Sequence, residues 1–185
     1  DDDGLRRILE DIAATAATDT TTLSAHAARA RAAIMAMKMP PEIAAAVSDA
    51  YRALGAAQPV ADERTATAED LPFASFAGQQ DTYLNIVGSD AVLDAVHRCW
   101  ASLWTDRAVS YRATNVIDPR SVHLAVVVQR MVDAVVAGVM FTANPVTGKR
   151  SETVIDASPG LGEAVVSGAV NPDHFVVNTA TGAEC

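Results

Sequence analysis

The chain has 185 residues, a formal charge of −9 and a pI near 4.7, with half its residues hydrophobic but only 5% aromatic; that is enough for one good core or two small lobes. So acidic a chain has no general field for gathering nucleic acid, no Lys/Arg cluster offers a local one, and no apolar run reaches membrane-spanning length. Two cysteines, Cys99 and Cys185, are too few for a disulfide framework and read as reduced thiols of a cytoplasmic protein.

Gly4 to Ala17 reads as a first helix, with Leu5, Ile8, Leu9 and Ile12 at spacings of three and four. Asp1 to Asp3 lie where its dipole favours negative charge, in place of a basic signal region. The absence of an opening methionine is expected of a piece of a longer chain or of a processed one. Asp19 to Thr22 offers N-caps to an alanine-rich second helix, Leu23 to Met37. Pro40 and Pro41 stop it, and Pro41 can start a third, Glu42 to Leu54, ended by Gly55. From Gln58 the texture changes, with Pro59 and the mixed-charge run Asp62-Glu63-Arg64.

The stretch Leu71 to Ile86 reads LPFASFAGQQDTYLNI, a small-residue run ahead of an alternating, strand-like tail. Such a turn can wrap an anion with its N–H groups and hydroxyls, and can equally be an ordinary hairpin. Gly88-Ser89-Asp90 then caps one long helix from Ala91 to about Tyr111, followed by a turn around Pro119. His123 to Val128, Gly138 to Thr142, Thr153 to Asp156 and Phe175 to Asn178 read as strands, with one helical turn over Glu163 to Val166. Helices first and a mixture afterwards predict an α+β (mixed α/β) fold. The expected division is a helical segment, residues 1–57, ahead of a mixed region, residues 58–185.

The fragments of chemistry are individually weak. His26, His97, His123 and His174 show no metal-ligand spacing and no Cys-x-x-Cys exists, so no metal site is expected. Ser75 is not in a Gly-x-Ser-x-Gly elbow, and no catalytic residue is assigned. Asp106 and Arg107 fit an ion pair as well as a functional role. Asp156, ending a strand, lies where strand termini face ligand crevices, or is simply an exposed acid. Gly160-Leu161-Gly162-Glu163 is either an anion-binding turn or a plain tight one. Gln129, with Met131 and Val132, follows a buried strand, where a purine could find an apolar slot and exposed backbone.

Four longer motifs follow one another in a familiar order: TATAEDLPFASFAGQQDTYLNI, CWASLWTDRAVSYR, AVVVQRMVDAVVAGVMFTANPVTG and IDASPGLGEAVVSGAVNPDHFVV. From roughly Leu23 to Val177 they closely resemble the amino-terminal nucleotide-binding domain of the phosphoenolpyruvate synthase and pyruvate phosphate dikinase family. That family includes rifampicin phosphotransferases. The resemblance implies an ATP-grasp-like fold. In such enzymes ATP, with Mg²⁺, phosphorylates a histidine on a separate carrier domain, which passes the phosphoryl group to pyruvate or an antibiotic hydroxyl. It places Ser75, Phe76, Ala77, Gly78 and Gln79 on a loop over the phosphates, and Gln129, Met131 and Val132 beside adenine. Arg64, Thr65 and Thr67 become candidate phosphate contacts.

The chain departs from that family in three places. Members read Val-Arg-Ser-Ser-Ala-Thr-Ala-Glu-Asp where this chain has Asp62-Glu63-Arg64-Thr65-Ala66-Thr67-Ala68-Glu69-Asp70. Aligned without a gap, Glu63 replaces the arginine; with one residue deleted, Arg64 takes its place. The early glycine-rich segment with a phosphate-binding lysine is absent, and nothing after Phe175 matches the family's Asp-x-Glu metal ligand or Gln-x-Arg. Without these, and without carrier-histidine and acceptor-binding domains, the chain alone is not expected to transfer phosphoryl groups. The alternative to an enzyme part is a degenerate ATP-grasp remnant serving as a binding or structural module.

Overall fold

A computed structural model describes residues 2–55, 59–66, 70–71, 74–75 and 82–183, with residues 2, 61–66, 70–71 and 74–75 described by their backbone alone. The fold mixes helices and antiparallel sheets, and its contacts divide it into two compact units, Asp1–Met131 and Val132–Cys185. The change of texture at Gln58 lies inside the first unit.

In the first unit the helical periodicities become α1 (Asp2–Ala14), α2 (Thr20–Ala36) and α3 (Pro41–Gly55). Asp19 caps α2, its carboxylate accepting from the Thr22 N–H at 3.1 Å. The buried stripe of α2 is Leu23, Ala27, Ala30 and Ile34, packed with Ile8 and Ile12 of α1 and with Trp104 and Val109. Two of its four members are alanines, which lets the neighbouring helices approach closely, since interaxial distance follows the side chains at the contact. Fully burying Leu23 contributes about 1.5–3 kcal/mol.

The single helix expected from Ala91 to Tyr111 is two: α4 (Ser89–Ser102) and α5 (Asp106–Thr114). Tight turns at Leu103 and Trp104 end α4, and the Thr105 hydroxyl accepts from the Ala108 N–H to start α5. The carbonyls released at the break find guanidinium donors. Arg112 Nη2 donates to Leu103 O and Arg31 Nη1 to Trp104 O, both at 2.6 Å. A hydrophobic spacing that runs straight through the break conceals it.

The mixed-charge run Asp62-Glu63-Arg64 is the middle of β1 (Val60–Ala66), the central strand of the sheet β4-β1-β5. β4 is Tyr83–Ile86 and β5 is Leu124–Arg130, and both run antiparallel to β1. Partners on both sides override the poor strand propensity of such a run. Helix α4 covers one face, where Val60, Val92, Val96 and Tyr51 are buried against Val126 and Val128. Tyr51, 1% exposed, accepts the Gly88 N–H on its phenol oxygen at 2.8 Å, at the start of α4. Two further short strands, β2 (Asp70–Leu71) and β3 (Ala74–Ser75), pair with each other.

The second unit is an antiparallel sheet, β6 (Val136–Phe141), β7 (Glu152–Pro159) and β8 (Asp173–Asn178), in the order β6-β7-β8, with the short helix α6 (Glu163–Val166). β6 and β7 lie so close at Gly138 that a Cβ there would meet the backbone of Asp156 and Ala157. No helix among the described residues is long and apolar enough to cross a membrane.

Candidate functional site

The sequence Leu124-Ala125-Val126-Val127-Val128-Gln129 alternates in burial, and that alternation shapes the site. Leu124, Val126 and Val128 are half-buried, with Val126 and Val128 packing into the core. Ala125, Val127 (46% exposed) and Gln129 lie on the open face. The open face of β5 thus offers Ala125 and Val127, followed by the Gln129 carboxamide, able both to donate and to accept.

Residue Met131 is fastened twice at the end of this strand. Its N–H donates to Pro59 O at 3.0 Å, and its thioether accepts the Asn85 N–H at 2.9 Å. Asn85 has φ 59, a left-handed conformation that asparagine tolerates better than most residues. The part Pro59 and Asn85 play here depends on long-range pairing and carries no local signal in the sequence. Val132 opens the second unit and is 77% exposed.

The register of β1 on β5 brings two groups of candidate residues onto one sheet. Gln129 pairs with Ala61, Val127 with Glu63, Val126 with Arg64 and Ala125 with Thr65. Positions Arg64 and Thr65 lie three and four residues along β1 from the partner of Gln129. At roughly 3.3 Å per residue that is about 10 and 13 Å, on the scale of an extended nucleotide. Because the side-chain period is two, position 63 falls in line with exposed Val127 and position 64 in line with core-packed Val126. Ser75 lies in β3, opposite Asp70, and not on this sheet. Phe76, Ala77, Gly78, Gln79 and Thr67 lie outside the described residues.

Elsewhere the chemistry suspected in the sequence resolves into structure. Asp106 is an inter-helix partner, accepting from Ser24 Oγ and from Arg31 Nη1 at 2.8 Å. Those bonds, Ser24 first and Arg31 second, hold its carboxyl below the usual value. Asp156 does not end its strand. β7 runs on to Pro159, and Asp156 pairs across to His174, Nδ1 to Oδ1 2.6 Å. That pair arises from register and carries no local signal in the sequence. Gly160, at φ +87, donates its N–H to Val135 O in the tight turn leading to α6. Among the described residues no group of three or more His, Cys, Asp or Glu could hold a metal ion.

The model of the pyruvate phosphate dikinase AMP/ATP-binding domain matches residues 1–183. Phosphoenolpyruvate synthase of Pyrococcus furiosus is 51% identical over 179 residues, 94% of this chain and 22% of that protein. A rifampicin phosphotransferase of Streptomyces is 53% identical over 159 residues, 86% of this chain and 18% of that protein. The Bacillus subtilis rifampicin phosphotransferase is 52% identical over 144 residues, 78% of this chain and 17% of that protein. The chain therefore spans about a fifth of the length of these relatives. The match runs from the first helix to the turn after β8, and on it the chain belongs to the pyruvate phosphate dikinase AMP/ATP-binding domain family.

Proposed function

We propose that this chain is the ATP-holding part of a phosphotransferase of the phosphoenolpyruvate synthase type, with an ATP-grasp-like fold. The adenine lies against the open end of β5, with Val127 beneath the base and Gln129, Met131 and Val132 along its edge. The triphosphate extends along β1 toward positions 63 to 65, and Thr67 and the residues Ser75 to Gln79 are assigned to it by the family resemblance alone. What supports this reading is the family match over residues 1–183, together with a register that puts Gln129 and the β1 candidates on one sheet.

The work of such a site is to position the nucleotide and neutralise the charge of the moving phosphoryl group. Mg²⁺, when bound, supplies part of that neutralisation. Nothing after Phe175 matches the family's Asp-x-Glu metal ligand, and the metal ligands are assigned to other parts of the whole protein. The carrier histidine and the acceptor site are likewise assigned to other domains. Pyruvate is the acceptor the name of the Pyrococcus relative favours; the rifampicin phosphotransferases match about as well, and an antibiotic hydroxyl is the second reading.

Of the two alignments at the family arginine, the register favours the gapless one, which puts Glu63 in its place. Calorimetric titration of the chain with a non-hydrolysable ATP analogue tests this. Glu63→Arg reverses one charge beside the triphosphate; at about 0.2–1 kcal/mol per exposed charge pair, binding tightens severalfold to tenfold. Arg64→Ala then changes little. Loss of binding in Arg64→Ala without a gain in Glu63→Arg selects the alignment with one residue deleted. Absence of nucleotide binding in every variant and in the full-length protein points instead to a non-catalytic module.

A further inference from the structure

Strand β4 carries an extra residue in its pairing with β1. Val60 lies opposite Ile86 and Asp62 opposite Tyr83, so Leu84 and Asn85 together face Ala61 alone. That is a β-bulge, and Asn85, at φ 59, is its left-handed member. On its other side Ala61 pairs with Gln129. The bulge therefore lies in the same row of the sheet as the carboxamide that the proposed site sets at the edge of the base.

A bulge on an edge strand has an ordinary use, which is to discourage a further strand from pairing there. β4 is such an edge, in the order β4-β1-β5. Blunting an edge does not require the bulged amide to engage a residue beyond the central strand. Yet the Asn85 N–H donates at 2.9 Å to the sulfur of Met131, which follows β5 on the far side of β1. The bond from Met131 N–H to Pro59 O continues the register of β5 on β1 by one step past Val60 and Arg130. With a side-chain period of two, Met131 then falls in line with Val127 and Gln129 on the open face. From there its side chain reaches toward β4, where the bulge holds the sulfur.

Methionine has three rotatable side-chain bonds, and left to itself it samples many rotamers. A ligand resting on it would have to still them. Held at its backbone N–H by Pro59 and at its sulfur by Asn85, Met131 is fixed at both ends. We infer that Asn85 is a positioning residue of the nucleotide site: its left-handed backbone holds the Met131 side chain where the edge of the base rests, so that this part of the slot is formed before the nucleotide arrives. The inference rests on β5 being the strand against which adenine lies, and Asn85 acts only through Met131. Asparagine suits the position because it enters the left-handed region more readily than other residues with a side chain. A β-branched residue there would rotate the backbone and turn the amide away from the sulfur.

Calorimetric titration of the full-length protein with a non-hydrolysable ATP analogue tests this, with inorganic tripolyphosphate probing the phosphate half alone. Asn85→Val is expected to weaken the analogue about two- to tenfold, the cost of stilling one freed, rotamer-rich side chain on binding, and to leave tripolyphosphate unchanged. Asn85→Gly keeps the amide and takes the left-handed conformation without strain, and is expected to bind as the wild type does. In a Met131→Leu background, Asn85→Val is expected to change nothing further, because the two residues act through one bond. Methyl NMR gives a reading that needs no ligand. The Met131 ε-methyl is expected to be more ordered than that of Met140, which is 62% exposed, and to lose that order in Asn85→Val. Wild-type affinity in a folded Asn85→Val overturns the inference and leaves the adenine reading standing. Equal weakening of analogue and tripolyphosphate overturns it too, since Asn85 then supports the sheet as a whole. So do additive losses in the double variant and, should Asn85→Val not fold, a wild-type Met131 methyl as mobile as that of Met140. A wild type that binds no analogue removes the adenine reading itself, and the inference with it.

Discussion

Arg112 tests whether the break between α4 and α5 is held as described. Its side chain is 3% exposed; Nη2 donates to Leu103 O at 2.6 Å, and the guanidinium carbon sits 4.8 Å from the centre of the Trp104 ring. Arg112→Met keeps most of the apolar bulk and removes both interactions. A hydrogen bond from a charged donor contributes about 1.5–3 kcal/mol, and a desolvated cation–π contact about 0.5–2 kcal/mol. Methionine recovers part of this, because no charge then has to be kept from water. The net loss is about 2–3 kcal/mol, and at roughly 3–5 °C per kcal/mol for a unit of this size Tm falls by about 10 °C. Intrinsic fluorescence is the assay, since both tryptophans, Trp100 and Trp104, lie in the first unit and report on it alone. Arg112→Lys, which keeps the charge but not the planar fork, is expected to fall between. If Arg112→Met melts with the wild type, the guanidinium does not hold the break and the Thr105 cap alone sets it.

Tyr51→Phe removes the acceptor of the half-buried Gly88 N–H and is expected to cost about 1–2 kcal/mol in urea unfolding followed by fluorescence; an unchanged midpoint means water takes the place of the phenol. Asp106, held below its ordinary value of 3.8 by Ser24 and Arg31, contributes stability that is fully present above that value and lost as pH falls through the lower folded pKa. Asp106→Asn is therefore expected to flatten the acid limb of the first unit's stability against pH, and identical acid limbs in variant and wild type refute the assignment. Gly138→Ala places a Cβ 2.9 Å from Ala157 Cα and still nearer the Asp156 carbonyl. Forcing β6 from β7 is expected to cost about 1–3 kcal/mol, seen as faster amide exchange across the second unit's sheet with tryptophan fluorescence unmoved; undisturbed exchange contradicts the close approach.

How far each part could be read in the sequence follows from how local its cause is. The first three helices are written in apolar spacing, in Asp19 as a cap and in Pro41 as a first-turn residue, and they form within a few residues of the expected bounds. The break at Leu103 was also written locally, as Thr105-Asp106, a cap followed by an acid. The apolar series from Val92 to Trp104 continues through it and masks the signal. Strand β1 was not legible, because Asp62-Glu63-Arg64 shows no alternation of apolar residues and is extended only through its partners β4 and β5. Gln129 could be singled out as following an apolar strand, although β5 is half-buried on one face only and runs on to Arg130. Its alignment with the β1 candidates, like the meeting of Asp156 and His174, depends on register between distant segments.

That dependence on register bears directly on the charge beside the proposed triphosphate. In a strand with one covered face, shifting by one residue exchanges the two faces, so the choice between Glu63 and Arg64 is a choice between the line of Val127 and the line of Val126. Val126 is committed to the core with Val60, Val92 and Val96, and α4 fixes that face. Met131 fixes the same register from the far end, since its bonds to Pro59 and to Asn85 join the end of β5 to the starts and ends of its neighbours. A slip of one residue would break both fastenings and expose the valines together. The packing beneath the sheet therefore fixes the register of β1 on β5, and with it the lines in which positions 63 and 64 fall.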